Sequence, residues 1–118
     1  MTDGRSPIDI LLVEDNPGDE RLTREALKEG KVYNNLHWVK DGVDALEFLR
    51  QRGKYKDAPR PDIILLDLNL PKKDGREVLQ DIKSDEALKR IPVVVLTTSK
   101  AEEDVMHVSA RSGEASRR

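Results

Sequence analysis

The sequence predicts an α/β domain built on a parallel sheet, and three observations point to it. Three short runs of branched apolar residues, Ile10-Leu11-Leu12-Val13, Ile63-Ile64-Leu65-Leu66 and Val93-Val94-Val95-Leu96, have the length of strands and the unbroken apolar character of strands buried on both faces. Capped helical stretches separate them, and this alternation implies right-handed crossovers with helices on both faces of the sheet, a doubly wound arrangement. Each run also ends in oxygen-bearing side chains: Glu14-Asp15, Asp67 and Thr97-Thr98-Ser99. Open α/β sheets keep their chemistry at the carboxyl ends of the strands, so adjacent strands of this kind would build one polar, anionic pocket.

Residues 1–7 form a polar, flexible arm before a first strand at 8–13. Asp15-Asn16-Pro17 then starts a helix, because Asp or Asn caps free N–H groups and proline fits the first helical position. That helix is expected to run to about Glu29, with Leu22, Ala26 and Leu27 sharing one face and Gly30 as its stop. Leu36-His37-Trp38-Val39 reads as a short strand whose partly polar makeup suits a sheet edge. Asp41-Gly42 turns into a second helix with Ala45, Leu46 and Leu49 on one face, and residues 53–61 form a loop. Asp74-Gly75 opens a third helix through Ile82, striped by Val78, Leu79 and Ile82; Ser84 to Arg90 is a helical turn or loop, and Pro92 leads into the strand at 93–96. Ser99 and Glu102 have the spacing of a capping box for a fourth helix. From His107 the pattern fails, and residues 107–118 read as a divergent, disordered basic tail.

At 118 residues the chain is one domain, with 36% hydrophobic and 37% charged residues. A formal charge of -2, from 21 basic and 23 acidic residues, offers no bulk attraction to nucleic acid or to an anionic membrane. The absence of cysteine removes disulfides and thiolate metal sites, and no apolar run reaches membrane-spanning length, so the chain reads as soluble and cytoplasmic. Of its two histidines, His37 reads as a surface or half-buried residue rather than a phosphodonor, and Trp38 as a packing residue.

Glu14, Asp15 and Asp67 would crowd three carboxylates at adjacent strand ends, a costly arrangement unless a cation neutralises them. Hard oxygen ligands suit Mg2+, which is commonly completed by a phosphate oxygen, and a metal beside a carboxylate makes that carboxylate a candidate nucleophile for phosphoryl transfer. Thr97 could supply a hydroxyl to the phosphoryl oxygens. Each group also has an ordinary reading: Thr97 as a hydroxyl satisfying backbone, Glu14-Asp15 as a solvated turn with Asp15 capping the helix, and Asp67 as a strand-end turn.

Taken together, Ile10 to Pro17, Asp41 to Leu46, Asp62 to Pro71, Asp74-Gly75 and Ile91 to Ser99 resemble the receiver domain of two-component response regulators. The Asp-Asn-Pro-Gly-Asp opening, the loop at 53–61 and Leu96-Thr97-Thr98-Ser99 look most like stand-alone regulators paired with bacterial phytochrome kinases. The resemblance covers residues 8–106 and implies a flavodoxin-like sheet in the order 2-1-3-4. It implies a phosphoacceptor switch rather than an enzyme, with Asp67 taking a phosphoryl group from a sensor histidine kinase. Asp15 and Asp67 would ligate Mg2+ directly, Glu14 through water and Asn69 through its backbone carbonyl. Thr97 would bond the phosphoryl oxygen and move inward on phosphorylation, while Pro71 and Gly75 would shape the loop after the acceptor.

Receivers continue into a fifth strand ending in a lysine and then a fifth helix, and nothing after Met106 matches that pattern; the lysine role is not carried onto Lys100. The chain then reads as a truncated or frame-altered receiver, or as one completed by dimerisation or swapping. Strand 93–96 would be its exposed apolar edge and the homodimer contact. A degenerate receiver that docks or dimerises without cycling phosphate is the alternative. A phosphatase of the haloacid dehalogenase type would need an acid two residues after the nucleophile, where Asn69 stands.

Overall fold

The computed structural model describes residues 6–96. Thr97, Lys100, the fourth helix expected after Ser99 and the tail at 107–118 lie outside the described residues. The elements run β1 (Ile8–Val13), α1 (Pro17–Glu29), β2 (Asn34–Val39), α2 (Gly42–Arg50), a 3-10 turn (Gly53–Tyr55), β3 (Ile63–Asp67), α3 (Gly75–Ser84) and β4 (Val93–Leu96). All the strand pairs are parallel, in the order β2-β1-β3-β4. This is the flavodoxin-like arrangement expected, with β2 two residues longer at its start than the apolar run and a 3-10 turn inside the loop at 53–61. Among the described residues no helix is long and apolar enough to cross a membrane.

Register decides which side chains meet. Leu11 lies beside Ile64 and Val13 beside Leu66, and Val13 also lies beside Val39, so these residues share one face. α2 brings Ala45, Leu46, Phe48 and Leu49 to that face, α3 brings Val78 and Ile82, and the segment before β4 adds Leu88 and Ile91. Each large side chain buried there stabilises the fold by roughly 1.5–3 kcal/mol. Right-handed crossovers put α1 on the other face, because the chain moves from β1 to β2 in one direction and from β2 to β3 to β4 in the other. Ile10 and Leu12 are buried on that side.

α1 departs from its expected face. Leu22 is 63% exposed, Ala26 is exposed and Leu27 is half-buried. The inward line runs instead through Glu20, Thr23 and Leu27, spaced as a helix face requires, and Glu20 is only 7% exposed. A carboxylate tolerates that position because Arg24 Nε bonds Glu20 Oε2 at 2.8 Å, with a second bond from Nη2. The helix stops at Glu29 as expected, but the left-handed residue that turns the chain is Lys31 (φ 59), one past Gly30. β4 departs from the picture of three buried strands and matches the exposed apolar edge expected of strand 93–96: Val94 and Val95 are 43% and 41% exposed, and β4 is an edge among the described residues.

Candidate functional site

β1 and β3 are neighbours, and the sheet's connections diverge to opposite faces at their carboxyl ends. Because Val13 is in register with Leu66, the residues that follow must meet. Carboxylate oxygens of Glu14, Asp15 and Asp67 lie within 4.8 Å of one another. Glu14 and Asp67 are each 1% exposed and Asp15 is half-buried.

The turn after β1 is held from several sides. Glu14 N–H donates to Val39 O at 3.0 Å, and Trp38 Nε1–H donates to Glu14 O at 2.6 Å. Asn16 N–H donates to Glu14 Oε2 at 3.1 Å. Asn16 caps α1, its Oδ1 accepting from Gly18 N at 2.7 Å and Asp19 N at 3.1 Å, so Asp15 is released from capping and turns to the other acids. Burial pushes the Glu14 carboxyl up to about 7; the bond from Asn16 opposes this, and the charge of Asp67 adds to it.

Asp67 Oδ1 accepts from Asn69 N–H at 2.9 Å, which turns the chain out of β3. Lys73 N–H then reaches Pro71 O at 2.7 Å across Lys72, whose φ of 67 makes this a tight three-residue turn. Lys72 Nζ lies 3.5 Å from Asp41 Oδ2, tying the loop to the start of α2. Gly75 N–H donates to Leu68 O at 3.1 Å, and a Cβ there would strike Asp67 O and lie 2.5 Å from Leu68 Cα. A Cβ on Gly42 would strike Lys73 O and lie 2.7 Å from Lys73 Cβ. The loop after Asp67 is thus seated between two helix starts, and only glycine permits either approach.

Of the residues singled out in the sequence, Glu14, Asp15 and Asp67 converge, and Asn69 follows directly in the turn. Pro71 and Gly75 shape the loop, and Thr97 lies outside the described residues. Trp38, Gly42 and the Asp41–Lys72 pair were not read as part of the site. The Asp41-Gly42 pair could have flagged a close approach, but nothing in the sequence signals where the Trp38 N–H goes.

A family model for the response regulator receiver domain matches residues 10–114. Response regulator Rcp1 of Synechocystis sp. is 59% identical over 97 residues, covering 82% of this chain and 66% of Rcp1. The chain therefore spans about two thirds of the length of that relative. Among solved structures, the phosphorylated cyanobacterial phytochrome response regulator RcpA superposes with a TM-score of 0.75 at 57% identity, over 89% of this chain and 75% of RcpA. The Mn2+-bound form of Rcp1 superposes with a TM-score of 0.75 at 58% identity, over 85% of this chain and 72% of that one. With its 2-1-3-4 parallel sheet and its acids gathered where β1 and β3 end, the chain belongs to the receiver domains of two-component response regulators, a family of signalling switches rather than classical enzymes.

Proposed function

We propose that the chain is a phosphoacceptor switch that takes a phosphoryl group from the phosphohistidine of a phytochrome-type sensor histidine kinase onto Asp67, in the cytoplasm. The observation that supports this is the meeting of the three carboxylates within 4.8 Å at the ends of β1 and β3, in a chain of the receiver family. The donor set is all hard oxygen and carries more negative charge than a buried site tolerates alone, as the raised Glu14 carboxyl reflects, so a cation such as Mg2+ fits it. Asp15 and Asp67 would hold the ion directly, Glu14 through water and Asn69 through its backbone carbonyl. Bound there, it supplies positive charge against which phosphoryl oxygens are stabilised.

The chain's own part is positioning. Asn69 N–H fixes one oxygen of Asp67. An Asp67 oxygen forms the new P–O bond as the P–N bond of the donor breaks, and the electron pair leaves with the imidazole nitrogen, which takes up a proton. Thr97 would donate its hydroxyl to the transferred group and move inward. Water later hydrolyses the acyl phosphate and restores Asp67.

The test is intact mass after incubation with acetyl phosphate, with and without Mg2+, beside Asp67→Asn. A phosphoryl adduct that needs Mg2+ and vanishes in the variant is the expected result; no adduct on the folded parent chain sinks the proposal. A second reading, a dimerisation or docking module without phosphate cycling, is favoured by the exposed Val94 and Val95 on β4. Self-association that persists unchanged in Asp67→Asn, with no adduct on the parent, is its signature.

A further inference from the structure

Trp38 is the single tryptophan of the chain, and phosphoryl transfer to Asp67 does not itself call on it. It lies beside Leu12 in the β1–β2 register, and its N–H reaches past the end of β1 to the carbonyl of Glu14 at 2.6 Å. That carbonyl belongs to the peptide unit joining Glu14 to Asp15. A peptide unit is planar, so holding its oxygen also orients the N–H and Cα of Asp15. On the other side of Glu14, the N–H is bound to Val39 O at 3.0 Å. β2 therefore grips the backbone on both sides of Glu14, through its N–H and through the carbonyl that joins it to Asp15. An indole suits this task, since it combines a large rigid body with a single directed donor. Lys40 Nζ lies 4.9 Å from the ring centroid, a further contact that holds the ring in place.

We propose that Trp38 is a positioning residue for the divalent-cation site of Glu14, Asp15 and Asp67: its N–H sets the orientation of Asp15, and its emission reports occupancy. This rests on the phosphoacceptor reading and deepens it. Mg2+ demands near-ideal octahedral geometry, so a small rotation of the Glu14–Asp15 peptide moves one donor out of place. Losing one such hydrogen bond corresponds to about a two- to tenfold loss of affinity.

The experiment is calorimetric titration of Mg2+ into the whole chain, into Asp67→Asn, into Trp38→Phe, and into a chain with Trp38 replaced by 3-benzothienylalanine. That last analogue keeps the indole shape and puts sulfur where the N–H was. Asp67→Asn should lose most of the binding. Both Trp38 replacements should bind about two- to tenfold more weakly, while the metal-free benzothienyl chain keeps a single cooperative transition, lowered by no more than about 10 °C, as loss of one hydrogen bond requires. In the parent, Trp38 emission should change with the same midpoint as the heat. Parental affinity in the benzothienyl chain overturns the inference, however Trp38→Phe folds, and emission blind to Mg2+ overturns the reporting role. When Asp67→Asn abolishes binding and the Trp38 replacements leave it untouched, the phosphoacceptor reading stands and this inference alone falls. A parent chain that binds no Mg2+ overturns both.

Discussion

Glu14 shows how one residue's surroundings set its chemistry. Its folded carboxyl, near 7, stands above the ordinary 4.5, so its contribution to stability is fully present below 4.5 and is lost as pH rises through 7. In chelator, the parent should lose melting temperature across that window relative to Glu14→Gln, and the variant should be the more stable by about 1–3 kcal/mol at pH 8. A difference between the two that stays flat with pH would show that Glu14 does not titrate there. Asp9 is the opposite case. The His37 ring bonded to its Oδ1 at 3.0 Å, with Asn35 at 3.2 Å, holds its carboxyl below the usual 3.8. The stability this lends is present above 3.8 and lost as pH falls through the lower folded value. Carbon-detected NMR titration of His37→Gln should find Asp9 moved back toward 3.8. The acids of the site were legible as strand-end residues because strand ends are marked by composition. The bonds that Trp38 and His37 make were not, since they join residues 24 and 28 positions away.

Among the elements, α2 and α3 were readable and α1 only partly so. α2 and α3 bury stripes of large apolar residues, so periodicity names their inward faces. α1 buries an ion-paired glutamate, and a rule that sends apolar residues inward cannot anticipate that Arg24 makes Glu20 acceptable there. With so little apolar surface buried, α1 depends more heavily on its ends. Asn16→Ala should cost about 1 kcal/mol in urea unfolding, and amide exchange in α1 should be faster than in α2 or α3. At the start of α3, Gly75→Ala should cost about 2 kcal/mol or more, because the added methyl meets backbone that cannot yield without moving Asp67. A variant as stable as the parent would mean that the loop gives way freely.

For the molecule as a whole, the parallel sheet was readable from the alternation of strands and helices, and its strand order only through the receiver resemblance, whose five motifs occur in the order the family uses. The exposure of β4 belongs to this scale as well. Val94→Lys should leave the fold intact and reduce concentration-dependent sedimentation if β4 is a contact between copies; sedimentation identical to the parent at high concentration would remove β4 from that role. The loop that leaves Asp67 has a mechanical consequence. Gly42 and Gly75 put two helix starts against it with no side chain between, one at Lys73 and the other at Asp67 and Leu68. A joint without padding does not absorb motion. A displacement at the end of β3 is therefore expected to reach the start of α3 directly and the start of α2 through Lys73, with the strand as the fulcrum of a short lever.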